Sequence, residues 1–247
     1  MSRKTQQKNM RWLLLGAAVI AAAVALWLSG KPEQPAQPPQ EELRQEEPQQ
    51  EAGVHIEEVQ TPELTLSHGL VLQDIGSYTG MYMEDGSDEI LSGILMAVVR
   101  NDSSQTVQYA EILLSGAEET ARFTLTTLPP GESVVLLEQN RMSYDGGRQV
   151  EKIEVGGVAL FPEEPSVHAQ QLEIQPLDGM LNVTNISGED ISGDIVVYYK
   201  NAAADMLYGG ITYRVTISGG LKAGEIRQTI AGHCSATGSR VMFTTLG

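Results

Sequence analysis

Val99-Arg100-Asn101-Asp102-Ser103 and Val183-Thr184-Asn185-Ile186-Ser187 are one passage written twice, 84 residues apart. In each, a β-branched residue ends an apolar run and an asparagine follows two positions later. Asparagine hydrogen-bonds its own backbone and tolerates a left-handed conformation, so each passage reads as a strand ending in a tight turn. The likeness continues without a gap: Val107 and Glu111-Ile112 stand against Ile191 and Ile195-Val196. Farther on, Leu128-Pro129-Pro130-Gly131-Glu132 matches Leu221-Lys222-Ala223-Gly224-Glu225 at an offset of 93. The second copy therefore holds nine extra residues, which the reading assigns to a loop around Asn201-Ala202-Ala203-Ala204-Asp205. Both copies end in a Gly-Glu turn, with glycine supplying positive φ before the next strand.

Working outward, the strand signals are Ile94–Val99, Tyr109–Leu114, Ser133–Leu137, Ile153–Val155, Met180–Val183, Ile195–Tyr199, Ile211–Ile217 and Val241–Phe243. They are short, rich in β-branched and aromatic residues, and separated by Gly, Asn, Asp and Pro. No stretch beyond residue 60 sustains a helical apolar period over ten residues. The expected fold of the body is all-β, with two tandem immunoglobulin-like sandwiches over 54–161 and 167–247. The boundary is expected at Phe161-Pro162-Glu163-Glu164-Pro165-Ser166.

The order of strand, Asn-Ser turn, strand and Leu-x-x-Gly-Glu turn resembles the small extracytoplasmic immunoglobulin-like modules of Gram-positive bacteria, the FxLYD type in particular. In that family the second strand often ends in an aromatic and an aspartate. Here Tyr198-Tyr199 stands at that place, followed by Lys200, and the first copy has Leu113-Leu114-Ser115. The resemblance implies a non-enzymatic, all-β surface module, and it carries over no functional residue.

The N-terminus carries Arg3, Lys4, Lys8 and Arg11 in a basic tail over 1–11, and residues 12–29 run uncharged as WLLLGAAVIAAAVALWLS. As a helix this run covers roughly 27 Å, the thickness of a bilayer's hydrocarbon core. Trp12 and Trp27 stand near its ends, where indole rings favour the headgroup zone, and the basic tail favours the cytoplasmic side. The expectation is a single-pass, uncleaved anchor with an extracytoplasmic body. A cleaved signal peptide ending at Ala23-Val24-Ala25 is the competing reading. Residues 30–53 hold five of the eleven prolines with many Gln and Glu. Such a segment buries too little apolar surface to order itself and reads as a disordered, extended spacer.

All thirty-two acidic residues and twelve of the sixteen basic ones follow residue 30. That balance disfavours nucleic acid, which needs basic side chains on its phosphates. One cysteine, Cys234, leaves no intramolecular disulfide. Its neighbour His233 points to the opposite face of any strand, so the pair is poorly set for proton transfer and a Cys-dependent enzyme is the least favoured reading. His55, His68, His168 and His233 are isolated, which argues against zinc. Asp85-Gly86-Ser87-Asp88-Glu89 lacks the later ligands of a calcium loop and reads as a polar turn. No catalytic residue, metal site or small-molecule cofactor is expected. Asn101, Asn182 and Asn185 fit the glycosylation pattern, although turn roles explain Asn101 and Asn185 better. Interface-type residues cluster at Tyr78, Met81 and Tyr82, with Tyr208 in a second group. The expected function is a membrane-tethered, non-catalytic protein-interaction or structural module working with other envelope proteins. Binding of cell-wall glycan or a small ligand is the alternative.

Overall fold

Alternation decides most of the strands. Over Val107–Ser115 the buried residues are Val107, Ala110, Ile112 and Leu114, and over Thr120–Leu128 they are led by Ala121, Phe123 and Leu125. This is the period-two pattern of a sheet with one face on a core. A computed structural model describes residues 63–144, 146 and 150–247, with the backbone of His55–Val59. The expected anchor with Trp12 and Trp27, and the linker over 30–53, lie outside the described residues. Among the described residues, no helix is long and apolar enough to cross a membrane.

The strands are β1 (His55–Val59), β2 (Leu64–Thr65), β3 (Leu70–Tyr82), β4 (Glu89–Asn101), β5 (Val107–Ser115), β6 (Thr120–Leu128), β7 (Ser133–Leu137), β8 (Lys152–Leu160), β9 (Leu172–Leu177), β10 (Met180–Asn185), β11 (Ile195–Ala203), β12 (Met206–Ile217), β13 (Ile226–Ile230) and β14 (Ser239–Leu246). The body is all-β. A long sheet has the order β1-β3-β4-β7-β12-β11-β14, with β2 beside β3, and two three-stranded sheets have the orders β6-β5-β8 and β13-β10-β9. The strand pairings are antiparallel except for β7 with β12, which run parallel over Ser133–Val135 and Met206–Tyr208.

The internal repeat is structural. In the first copy, β3-β4-β7 faces β6-β5-β8; in the second, β9-β10-β13 faces β12-β11-β14. The two asparagines that revealed it do the same work. Asn101 Nδ2 donates to the carbonyls of Gln105 (2.9 Å) and Leu128 (2.8 Å), and Asn185 Nδ2 to those of Glu189 (2.6 Å) and Leu221 (3.0 Å). Each Oδ1 accepts the backbone N–H and hydroxyl of the serine two residues on. The backbone carbonyls of Asn101 and Asn185 accept the N–H groups of Gly131 and Gly224, whose φ angles of 76° and 73° explain the glycine. Both asparagines are fully buried, so neither amide is open to glycosylation in the folded protein.

The copies are not separate beads. The chain passes from one to the other through 161–166, and β12 completes the sheet begun by β3-β4-β7. One core holds Leu72, Val99, Ile112, Phe123 and Leu136, with Leu207 from the second copy. The other holds Leu181, Val183, Val197, Tyr199 and Ile217. Ala202 packs on the first core, while Val197 and Tyr199, of opposite parity on β11, pack in the second. The two cores therefore lie on opposite faces of the long sheet. The nine extra residues do not make a loop. Tyr199 aligns with Ser115, the end of β5, and β11 runs on from there to Ala203 before β12 starts at Met206. The insertion lengthens a hairpin, and its far arm is the one that pairs with β7.

Truncating either asparagine leaves one buried and one part-buried carbonyl without their donor, and the half-buried serine turn without its acceptor. Asn101→Ala and Asn185→Ala are each expected to lower unfolding free energy by about 2–4 kcal/mol, read from urea titrations. A loss under about 0.5 kcal/mol, the range of an ordinary surface change, would contradict the role assigned to these side chains.

Candidate functional site at the join between the copies

Each copy carries a hairpin that the other lacks. β3 and β4 are 13 residues each, against 6 each in the aligned β9 and β10. This longer hairpin, ending in the turn 83–88, reaches from the first copy onto the second. There it meets the extension of β11 and β12.

The contact centres on one residue, Gly210. Glu84 Oε1 accepts the N–H of Gly210 (2.9 Å) and of Leu137 (3.0 Å). Lys200 Nζ donates to the carbonyls of Gly210 (3.1 Å), Ile211 (2.7 Å) and Thr126 (3.1 Å). Gly210 is thus held at its N–H by a carboxylate from the first copy and at its C=O by an ammonium from the second. A Cβ at Gly210 would overlap the Thr124 carbonyl oxygen, so only glycine allows the strands this close. Asn201 Nδ2 lies 3.0 Å from Met83 Sδ, and the Thr126 hydroxyl donates to the Gly210 carbonyl at 2.6 Å. Lys200 is fully buried. Burial drives its ammonium down to about 7, and the Glu84 charge opposes that fall. Burial likewise raises the Glu84 carboxyl, against its hydrogen bonds to Gly210 and Leu137 and the charge of Lys200.

At the hairpin tip, Asp85 Oδ1 accepts the Ser87 N–H (2.9 Å), the polar turn expected from the sequence. Arg141 binds Asp85 and Glu89 at 2.7 Å each and lies 4.9 Å over the Tyr82 ring. Asp88 Oδ2 meets His233 Nδ1 at 2.6 Å, and the His233 ring stacks on Tyr213 at 4.5 Å. His233 thus bonds the first copy and turns away from its neighbour Cys234. That thiol is buried in the second core, and burial raises its pKa. No group of three or more His, Cys, Asp or Glu among the described residues is arranged to hold a metal ion.

The expected interface residues have a different place. Tyr78 and Tyr82 are each 1% exposed, packed with Met96, Val98, Val135 and Leu137 on the long sheet. The Tyr78 hydroxyl donates to the Met81 carbonyl (2.9 Å), and the Tyr82 hydroxyl donates to those of Glu138 and Gln139 (3.0 Å each). They are interior residues, because the strand alternation that the Gly-rich sequence hid points both rings inward. Tyr208 is half-buried against the same cluster, and Met81 alone stands out, at 41% exposed.

What lies open is a groove beside the join, missed in the sequence because its residues come from six separate segments. Its volume is about 590 Å³, and Gln108, Thr126, Phe161, Tyr198, Thr212 and Phe243 are among its lining. Tyr198 stacks on Phe243 at 4.1 Å and 9°, and Phe161 meets Phe243 edge-on at 5.3 Å. The wall comes from the first copy, the floor from β11, β12 and β14 of the second. Aromatic apolar surface rimmed by hydroxyls and an amide suits a side chain or backbone of another molecule. Comparison with protein-family models, curated proteins and solved structures finds no match to the chain.

The buried charges make a signed prediction. Lys200→Met strands the Glu84 carboxylate, and Glu84→Gln strands the Lys200 ammonium; each is expected to cost about 3–5 kcal/mol near neutral pH. The pH slopes then oppose. Glu84 has a folded pKa above its ordinary 4.5, so the fold favours its protonated form, and stability of Lys200→Met falls as pH rises above that value. Lys200 has a folded pKa below its ordinary 10.5, so the fold favours its neutral form, and stability of Glu84→Gln rises as pH climbs from about 7 toward 10.5. Urea titrations of both variants at several pH values check this; parallel slopes would refute it.

Proposed function

We propose that this chain is a membrane-tethered, extracytoplasmic, non-catalytic module that binds other envelope proteins through the groove between its two copies. The anchor and spacer in this reading rest on the basic tail, the apolar run 12–29 and the Pro/Gln/Glu-rich stretch 30–53. Each copy is taken as an immunoglobulin-like sandwich of the extracytoplasmic type, on the strength of two facing antiparallel sheets and the repeated Asn-Ser and Gly-Glu turns.

The observation that carries the binding role is the open groove with Phe161, Tyr198 and Phe243. Phe161 and Tyr198 are partly exposed there beside the buried Phe243, and large rings at an uncharged surface are the anchors that protein interfaces use, because they bury much area at little entropy cost. A glycan fits less well. Sugar stacking needs a free, exposed ring face; the Phe243 ring is buried, and it covers one face of Tyr198. The acidic surface outside the groove keeps the module soluble and steers basic surfaces toward it.

A photo-crosslinking residue at the groove rim, replacing Gln108 in the full chain, is expected to give discrete protein adducts in native membranes. Thr212→Arg, which fills the groove, should abolish them. If the same adducts form from a probe at Glu118, in the exposed turn between β5 and β6, or survive Thr212→Arg, the groove is not the binding surface.

A further inference from the structure

The copies differ at one backbone position that opens on the groove. Leu128 aligns with Leu221, so Thr127 stands where the second copy has Gly220. Both residues are left-handed, at φ 50° and 69°. Glycine adopts that conformation without steric cost, whereas a β-branched residue in it is strained. At Gly220 a Cβ would overlap the Ile191 carbonyl oxygen, so the second copy admits no side chain there. The first copy is irregular at the matching place. β5 pairs with β6 at Val107 with Leu128 and at Tyr109 with Thr126, but not at Gln108 with Thr127 between them, and its register against β8 shifts there too. A bulge of this kind re-aims side chains.

What the irregularity presents is polar. Thr127 is 5% exposed and lines the groove beside Gln108. Among the described residues no group hydrogen-bonds the Thr127 hydroxyl, and its oxygen is not sealed from the groove. The Thr126 hydroxyl, by contrast, donates to the Gly210 carbonyl and meets the Thr212 hydroxyl at 2.8 Å. A nearly buried hydroxyl without a partner is uncommon, and strained backbone is retained chiefly where a site uses it. A fold that needed only the turn would carry glycine here, as the second copy does.

From this we infer that Thr127 is the specificity-determining residue of the groove, its hydroxyl hydrogen-bonding a backbone amide of the protein segment that enters beside Tyr198. The assignment rests on the reading of the groove as a binding surface. The class of group follows from the lining, which has no charged side chain. Lys200, which bonds the Thr126 and Ile211 carbonyls, is fully buried, with its ammonium engaged by three backbone oxygens. A charge brought against Thr127 would therefore be left unpaired, and one hydroxyl would not offset its desolvation. An amide avoids that cost, and a hydroxyl, with one donor and two acceptor lone pairs, can serve either its C=O or its N–H.

The test uses the full chain in native membranes, with the photo-crosslinking residue replacing Gln108. Thr127→Val keeps the shape and the strain but removes the hydroxyl. Its adduct yield is expected to fall about fivefold or more, with the urea midpoint close to that of the parent chain. Thr127→Gly relieves the backbone. Its yield is expected to fall likewise while the midpoint holds or rises, although deleting a packed buried side chain ordinarily lowers it. Undiminished adducts in either variant overturn the role of Thr127 and leave the groove standing as a binding surface. A lower midpoint in Thr127→Gly also overturns it, because the fold itself then needs the side chain. No adduct from the parent chain overturns the groove reading, and this assignment with it.

Discussion

The join between the copies is arranged around one glycine, gripped at its N–H from one side and at its C=O from the other. Gly210 is bonded at N–H by Glu84 and at C=O by Lys200. These two residues belong to different copies of the repeat, so the grip fixes how the copies meet. Neither charge is solvated as it would be on a surface. Each is tolerated because backbone dipoles surround it: two N–H donors for the carboxylate and three carbonyls for the ammonium. Removing either partner leaves a charge in a region of low polarity, which costs more than the pair contributes.

The join is made of what each copy has beyond the common plan. Subtract the long β3–β4 hairpin and Tyr78, Tyr82, Met83, Glu84 and Asp88 go with it. Subtract the nine-residue extension and the arm carrying Leu207, Tyr208 and Gly210, which pairs with β7, is lost as well. What remains is a pair of small modules joined only by the segment 161–166. The groove depends on the same extensions, since its wall and floor come from different copies. A binding surface created by fixing two modules is as rigid as their join, and preorganisation of that kind reduces the entropy lost on binding.

How much of this was legible follows from the range of the interactions. The strands announced by β-branched runs are present, and Ser133–Leu137 has the same bounds in the sequence and in the structure. The asparagine and glycine turns were legible because their bonds are made within the motif or to its aligned partner. β3 is obscured in the sequence by Gly76 and Gly80, because glycine weakens a strand signal even though both lie inside this strand with its register shifts. With the strand hidden, its tyrosines read as surface. The parallel pair β7–β12 leaves no mark in the sequence, because its three residue pairs join segments more than seventy residues apart. Lys200 stood where the resembled family often has aspartate, and only its surroundings reveal it as a buried inter-copy charge. The groove was invisible for the same reason, being assembled from single residues of many strands.

A buried charge pair is a costly way to join two modules when leucines would hold them as tightly. The cost has a use at this particular interface. A parallel pairing of only three residues has few backbone bonds to fix its register, and a slip of one residue along β7 would also exchange Leu207 and Tyr208 between the two faces of the sheet. Such a slip would move Gly210 by about 3.3 Å, a full strand rise. Glu84 would then lose the Gly210 N–H and Lys200 the Gly210 C=O, leaving a half-buried carboxylate and a buried ammonium short of partners. The apolar contacts make the copies adhere, and the charges make one register cheaper than its neighbours. That division of labour accounts for a fully buried lysine at the join, faced by a half-buried glutamate.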